Sequence, residues 1–198
     1  MISIYTENKN GQFALSNEMR LVWEQHVYWT RMLLISIADR LGDLNAVTAR
    51  LLRNPNDIAA IFARYYGPDA GRKIARLLTE HLQIGAALIT ALRDGEKEKA
   101  DALTRQWYEN ADKMAEAFSK LNPLYDYEQL RKMLYKHLEL TTREVAMRLA
   151  ANYPADIEAF GAVEREALEM ADYFTNGLSN MQPVQMFGRA PMQRGRRR

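Results

Sequence analysis

The sequence predicts an all-α protein built as a bundle of five or six main helices. Apolar residues recur at steps of three and four along most of the chain, and no stretch keeps the period of two that a strand requires. Turn signals such as Gly67-Pro68, Asp94-Gly95 and Asn122-Pro123 divide this pattern into segments of helical length. A chain of 198 residues with 47% hydrophobic content can bury one substantial core, so we expect a single helical domain.

The first predicted helix runs from near Asn17 to about Leu41 and follows an N-terminal arm, residues 1–16. A short helix ends at Arg53, and Asn54-Pro55 then starts another, with Asn as the cap and Pro in the first turn. These two short helices are counted as one broken element. The remaining helices are predicted at about 69–92, 96–121, 127–152 and 155–178. The helical domain is therefore expected at 17–179, followed by a Pro-, Met- and Arg-rich tail at 180–198.

The three histidines mark an internal repeat. They lie on the apolar stripes of three predicted helices, 55 and 56 residues apart, and an aspartate follows each of them 31, 31 and 35 residues later. The histidines are His26, His81 and His137, and the aspartates are Asp57, Asp112 and Asp172. Four residues after each histidine comes a small residue, in order Thr30, Gly85 and Thr141. The pattern predicts three helical hairpins with His on the first arm and Asp on the second.

Inward-facing His and carboxylate side chains of a helical bundle are typical ligands of a transition metal. The sequence therefore predicts that these three histidines and three aspartates bind iron, manganese or zinc, in a ferritin-like or hemerythrin-like manner. The Glu-x-x-His spacing of di-iron bundles is missing, so the site needs the aspartates. A second interpretation stays open, in which the histidines are only hydrogen-bonded in the core. Asp57 also fits as an acidic residue in the first turn of a capped helix.

The charge is unevenly distributed. The last ten residues hold five arginines and no acid, which leaves the rest of the chain mildly acidic. The tail could contact nucleic acid electrostatically, or act only as a solubilising tail, and no base-reading pattern is present. The alternative to a metal protein is a non-enzymatic structural or assembly protein. Such a protein forms homo-oligomers, or binds a partner through exposed aromatic residues or the tail.

The composition also bears on compartment and chemistry. The chain has no cysteine, which excludes disulfides and thiolate nucleophiles and fits a reducing compartment. The first twenty residues do not resemble a signal peptide, and no apolar run is long enough to span a membrane, so we expect a cytoplasmic protein. No Gly-rich phosphate loop or nucleophile elbow is present. Whether the protein is an enzyme stays open.

One segment carries a family resemblance, namely Leu21-x-Trp23-Glu24-Gln25-His26-x-x-Trp29-Thr30-Arg31-Met32. It resembles an uncharacterised all-helical family of spore-forming and related bacteria. Further matching segments are Arg50-Leu-Leu-Arg-Asn-Pro-Asn-Asp57, Glu80-His81-Leu82, Trp107-Tyr-x-Asn110-Ala-Asp112, His137-Leu-x-Leu-Thr141 and Met170-Ala-Asp172. The resemblance covers roughly residues 18–180 and implies no activity. Members are sometimes labelled acetylglutamate kinase, and this chain lacks the α/β pattern and glycine loop such a kinase needs.

Overall fold

A computed structural model describes residues 2–179 and 181, and the side chains of residues 11–179 and 181. Regular structure in this part of the chain is entirely helical, which confirms the predicted all-α class. Counting α2 and α3 as one broken element gives six main helices, as the sequence predicts. The helices are α1 Ile2–Ala38, α2 Leu44–Leu51, α3 Asn54–Tyr66, α4 Pro68–Arg93, α5 Lys97–Ser119, α6 Tyr127–Leu149 and α7 Tyr153–Leu178.

The helices form three successive hairpins around one interior. In the first hairpin α1 packs against both the short α2 and α3. In the second α4 packs against α5, and in the third α6 packs against α7. Helix α1 also packs against α7 and α4, so the last hairpin closes against the first. The helices α1, α4 and α6 are the first arms of the three hairpins and carry the histidines. The predicted hairpin organisation is thus the organisation of the bundle.

Local sequence explains where several helices begin and end. Gly67 and Gly95 adopt φ of 84° and 72°, a left-handed conformation that glycine reaches without steric cost. The Asp126 carboxylate caps α6 by accepting from the backbone N–H of Gln129 at 2.8 Å. These signals make the connections short, and short connections keep the two arms of a hairpin antiparallel and in contact.

The predicted start of the first helix is wrong. Helix α1 begins at Ile2 and so includes the segment predicted as an arm, residues 2–16. Leu15 and Met19 are buried in the main core, which extends the apolar stripe of α1 further upstream than the Asn- and Gly-containing sequence suggests. Tertiary packing of a helix face outweighs the modest propensity cost of such residues. The helix also ends at Ala38, short of the predicted Leu41.

The predicted tail lies outside the described residues, with one exception. Met181 is half-buried and packs against the main core, where the Asn122 side chain lies 3.6 Å from its sulfur. The Arg-rich end and the nucleic-acid contact predicted for it fall beyond the described part of the chain. Among the described helices, none combines the length and apolar character needed to cross a bilayer.

Candidate metal centre

The three histidines meet inside the bundle. His26 on α1, His81 on α4 and His137 on α6 are each only 3–4% exposed. Their ring centroids form a nearly equilateral triangle with sides of 5.7, 6.2 and 6.3 Å. One nitrogen of each ring lies within 4.8 Å of the corresponding nitrogens of the other two. Three helices separated by more than fifty residues in sequence therefore direct their imidazoles at one point.

The ring of His26 is held by Asn54, the first residue of α3. The Nδ1 atom of His26 lies 3.0 Å from Asn54 Oδ1, and the Asn54 amide nitrogen donates to the carbonyl oxygen of Val22 at 2.8 Å. A carbonyl oxygen only accepts hydrogen bonds, so this second bond determines which end of the amide faces the histidine. Because that end is the amide oxygen, Nδ1 of His26 carries the ring proton and donates it.

The second hairpin repeats this arrangement. The Nδ1 atom of His81 lies 3.2 Å from Asn110 Oδ1, and the Asn110 amide nitrogen donates to the carbonyl oxygen of Leu77 at 3.2 Å. The indole N–H of Trp107 donates to the carbonyl oxygen of His81 at 3.1 Å, and the two rings stack with centroids 5.2 Å apart. A side chain at Gly85 would crowd this indole, because a Cβ there would lie 3.3 Å from Trp107 Cζ2. The missing side chain makes room for the ring that covers His81.

The third hairpin uses a carboxyl group in the same place. The Nδ1 atom of His137 lies 2.9 Å from Glu166 Oε2, and both side chains are buried. The other carboxyl oxygen, Oε1, is buried with no hydrogen-bond partner among the described residues. A carboxylate only accepts hydrogen bonds, so Nδ1 of His137 is again the donor. Glu166 also places a negative charge beside the triad, and a buried charge requires a nearby opposite charge.

In each ring Nδ1 is bonded to the neighbouring Asn or Glu side chain, so Nε2 is the nitrogen that is left for the cluster of converging ring nitrogens. Burial lowers the pKa of His26 to about 3; His137 lowers it further, and the Asn54 hydrogen bond opposes the shift. Burial, together with His26 and His137, also lowers the pKa of His81 well below its usual value. His26 and His81 are consequently neutral at pH 7, with their lone pairs directed inward.

A small cavity adjoins the triad. It offers about 20 Å³ to the centre of a water-sized molecule, and one water needs at least about 10–15 Å³ by the same measure. Its polar lining residues are the three histidines, Thr30 and Thr141, and the rest of the lining is Leu, Ile, Ala, Gly and Trp. The site therefore has room for very little beyond an ion and one small ligand.

The predicted aspartate ligands lie elsewhere, and that part of the prediction is wrong. Asp112 accepts from Arg131 Nε at 2.9 Å and from the Tyr135 hydroxyl at 3.0 Å. Asp172 pairs with Arg20 at 2.6 Å, and both side chains of this pair are about half exposed. Asp57 lies in the first turn of α3 and does not line the cavity, in keeping with its other interpretation as an acidic residue at a helix start. None of the three belongs to the cluster of histidines.

The residues that hold the rings are those the sequence interpretation missed. Asn54, Asn110 and Glu166 follow their histidines by 28, 29 and 29 residues, a more regular series than the aspartates show. Asn54 resembled a helix cap, but Arg53 occupies the cap position and no side-chain cap bond forms there. The regular offset, joined to the repeat, was the signal that could have identified them.

One more buried carboxyl group lies near the third hairpin. Glu144 on α6 accepts from Arg31 Nη1 at 2.6 Å, and the same nitrogen donates to Asp156 at 2.8 Å. Burial raises the pKa of Glu144 to about 7, against the opposing effect of Arg31. This carboxyl group is committed to an ion pair between α1, α6 and α7, so it is not a ligand of the histidine centre.

Comparison with known proteins finds no match for this chain. No family model matches the chain, no curated protein matches it, and no solved structure matches it.

Proposed function

We propose that the protein binds one divalent transition-metal ion through the Nε2 atoms of His26, His81 and His137. The observation that carries the proposal is the convergence of three imidazole nitrogens within 4.8 Å, each ring being held by a hydrogen bond on its far side. Metal-binding histidines commonly donate their second ring nitrogen to a carbonyl, amide or carboxyl oxygen in this way. The bundle therefore offers three candidate ligand nitrogens and, for each ring, the acceptor that orients it.

Electrostatics supports a cation at this point. The Nδ1 atoms of the three rings already have hydrogen-bond partners, so the converging nitrogens can offer their lone pairs to a cation. A metal ion satisfies all three lone pairs at once. Its charge also balances the buried carboxyl group of Glu166, whose Oε1 atom has no hydrogen-bond partner in the described part of the chain.

The donor set narrows the choice among the three metals predicted from sequence. Imidazole suits zinc and iron, whereas manganese prefers oxygen ligands, and no carboxylate belongs to the described histidine cluster. Zinc with three histidines keeps a fourth position open, and its nitrogen ligands lie about 3.4 Å from each other at tetrahedral geometry. The three ring nitrogens lie within 4.8 Å of one another, so side-chain shifts of about 1 Å or less would bring them to that distance. Zinc is the first candidate and iron the second, in a mononuclear rather than a di-iron site.

Elemental analysis of the purified full-length protein tests the proposal. We expect about one metal ion per chain, lost from variants in which His26, His81 or His137 is replaced by Gln. The matched controls are Asp112→Asn and Asp172→Asn, which remove the carboxylates that the sequence interpretation placed in the site. Circular dichroism verifies that each variant is helical. Metal content that is unchanged in a folded histidine variant, or lost only in the aspartate variants, overturns the proposal.

A second candidate function is assembly with another copy of this chain. Leu21 and Met32 on α1 are 52% and 48% exposed, and Tyr28 between them is 43% exposed. Eleven residues make about three helical turns, so these side chains lie on the same side of α1. Isologous contacts between copies use such a repeated patch. Light scattering of wild type, a Leu21→Glu/Met32→Glu variant and a Gln83→Glu control tests this idea; monomers throughout would count against it.

The tail and the compartment remain separate proposals. A chain ending at Asn180, studied beside the full chain, shows whether residues after 180 contribute to assembly or to salt-sensitive nucleic-acid binding. The cytoplasm is the proposed compartment, supported by the absence of cysteine from the sequence. Cell fractionation is the corresponding measurement.

A further inference from the structure

Two threonines occupy equivalent positions beside the triad but differ in their hydrogen bonds. Thr30 follows His26 by four residues, and its hydroxyl donates to the His26 carbonyl oxygen at 2.7 Å. Thr141 follows His137 by four residues, is 3% exposed, and its hydroxyl has no partner within the described part of the chain. Helical threonines commonly donate to the carbonyl four residues earlier, as Thr142 does to Leu138 at 2.8 Å. Thr141 is the exception, and it is also one of the residues that line the cavity.

The cavity beside Thr141 has few polar residues in its wall. Thr141 lines the same small space as the three histidine rings, and the remaining wall of that space is apolar. An enclosed water or anion needs about two to four polar partners, and an apolar wall supplies none. A small ligand in the cavity is therefore limited to the histidine side, where the bound ion and the Thr141 hydroxyl are its partners. The third equivalent position is Gly85, which adds no hydroxyl of its own.

We propose that the metal ion of the three-histidine site carries a fourth, exchangeable ligand of one to three atoms, hydrogen-bonded to Thr141 Oγ1. The resting ligand is water or hydroxide, and a small anion such as azide replaces it. This inference rests on the proposed metal site. The size of the cavity, about 20 Å³ for the centre of a water-sized molecule, excludes an organic substrate from the same position.

The chemistry of the hydroxyl explains why Thr141 is suited to this role and Thr30 is not. The Thr30 proton is committed to the His26 carbonyl oxygen, so this hydroxyl offers only its lone pairs to the cavity. The Thr141 hydroxyl keeps both its proton and its lone pairs. It can accept from a metal-bound water and donate to a bound hydroxide or anion. Donation to an anion in an enclosed apolar site is stronger than the same bond in water.

Cobalt substitution makes the fourth position visible. Full-length protein is loaded with Co²⁺, and azide is titrated while the visible absorption of the ion is recorded. The variants are Thr141→Val, which removes the hydroxyl at nearly constant volume, and Thr141→Ser, which keeps it. The matched control is Thr142→Val, because the Thr142 hydroxyl is already bonded to its own helix.

We expect wild type, Thr141→Ser and Thr142→Val to bind azide with similar affinity, and Thr141→Val to bind it about ten- to a hundredfold more weakly, as for loss of a hydrogen bond to a charged group. Equal or tighter azide binding by Thr141→Val overturns the inference, as does a wild-type cobalt spectrum that azide leaves unchanged. Failure of wild type to bind Co²⁺ or Zn²⁺ is a different result, because it removes the metal site itself.

Discussion

The first two hairpins hold their histidines with neutral amides, and the third holds its histidine with a carboxyl group. Asn54 and Asn110 each bridge a ring nitrogen and a backbone carbonyl of the same neighbouring helix, so every polar atom facing the ring has a partner. Glu166 bonds the ring of His137, and its second oxygen has no partner among the described residues. All three residues accept from Nδ1 of their histidine. Only the third adds negative charge, which makes His137 the most electron-rich of the three proposed ligands.

All three hairpins orient their rings, whereas only the third places a carboxyl group beside its ring. A site with three amide partners would place the full double charge of a metal ion in the core. A site with three carboxyl partners would place excess negative charge there when no metal is bound. One carboxyl and two amides lie between these extremes, so if the proposed ion binds, the electrostatic cost would be limited both with and without it.

The largest effect is expected from removing one of the bridging amides. Asn110→Ala leaves Nδ1 of His81 without an acceptor and creates a cavity in the core, so we expect the free energy of unfolding to fall by about 2–4 kcal/mol. Urea denaturation followed by circular dichroism measures it. Asn56→Ala, on the exposed side of α3, is the control and should change stability by less than about 0.5 kcal/mol. Similar losses in the two variants would contradict the bridging role of Asn110.

A pH effect of intermediate size is expected from the neutral histidines of the first two hairpins. The folded-state pKa of His26 is about 3, and the ordinary pKa of a histidine is 6.5, so between these pH values the unfolded chain binds a proton that the folded chain does not. In the metal-free protein, the contribution of His26 to the free energy of unfolding is fully present above pH 6.5 and is lost as the pH falls toward 3. For His26 alone, the decrease from pH 7 to pH 5 is about 2 kcal/mol.

The matched variant for this measurement is His26→Gln, which cannot titrate. Denaturation in the presence of a chelator at pH 7 and pH 5 should show a smaller loss for the variant than for wild type. Carboxyl groups elsewhere titrate in both proteins, so the difference between the two isolates His26. An equal loss in both proteins would mean that the histidine is protonated in the folded state at pH 5.

The third prediction concerns the carboxyl group itself. Glu166→Gln keeps the length of the side chain and an oxygen for His137 but removes the charge, so we expect metal affinity to fall about 10- to 100-fold. Competition with a coloured chelator gives the dissociation constant. Glu169→Gln, on the exposed face of α7, is the control and should leave the affinity unchanged. An affinity for Glu166→Gln equal to that of wild type would show that the three hairpins are electrostatically equivalent.

The sequence predicted the architecture well because helix periodicity and turn residues are local properties. The three hairpins, their order and the inward position of all three histidines follow from apolar stripes and from residues such as Gly67 and Gly95. The start of α1 was missed for the converse reason. Residues 2–16 contain poor helix formers, and only the burial of Leu15 and Met19 against other helices shows how far the packed part of α1 extends.

The partners of the histidines could not be chosen from offsets alone. Asp112 lies two residues after Asn110, and two residues correspond to about 200° around a helix, so the two side chains point in nearly opposite directions. Asp172 lies six residues after Glu166, again on a different face. Two equal offsets of 31 residues favoured the aspartates in the sequence, yet helix rotation about the hairpin axis decides which side chain meets the ring.

The sequence by itself determined that this protein is an all-helical bundle with a threefold hairpin repeat and one histidine on the apolar face of each first arm. Only the tertiary structure decided that the three rings meet, that Asn54, Asn110 and Glu166 hold them, and that the Thr141 hydroxyl has no partner within the described residues. The physical reason is that periodicity reports which face of a helix is buried, whereas hydrogen-bond partners depend on the rotation and height of each helix against its neighbours.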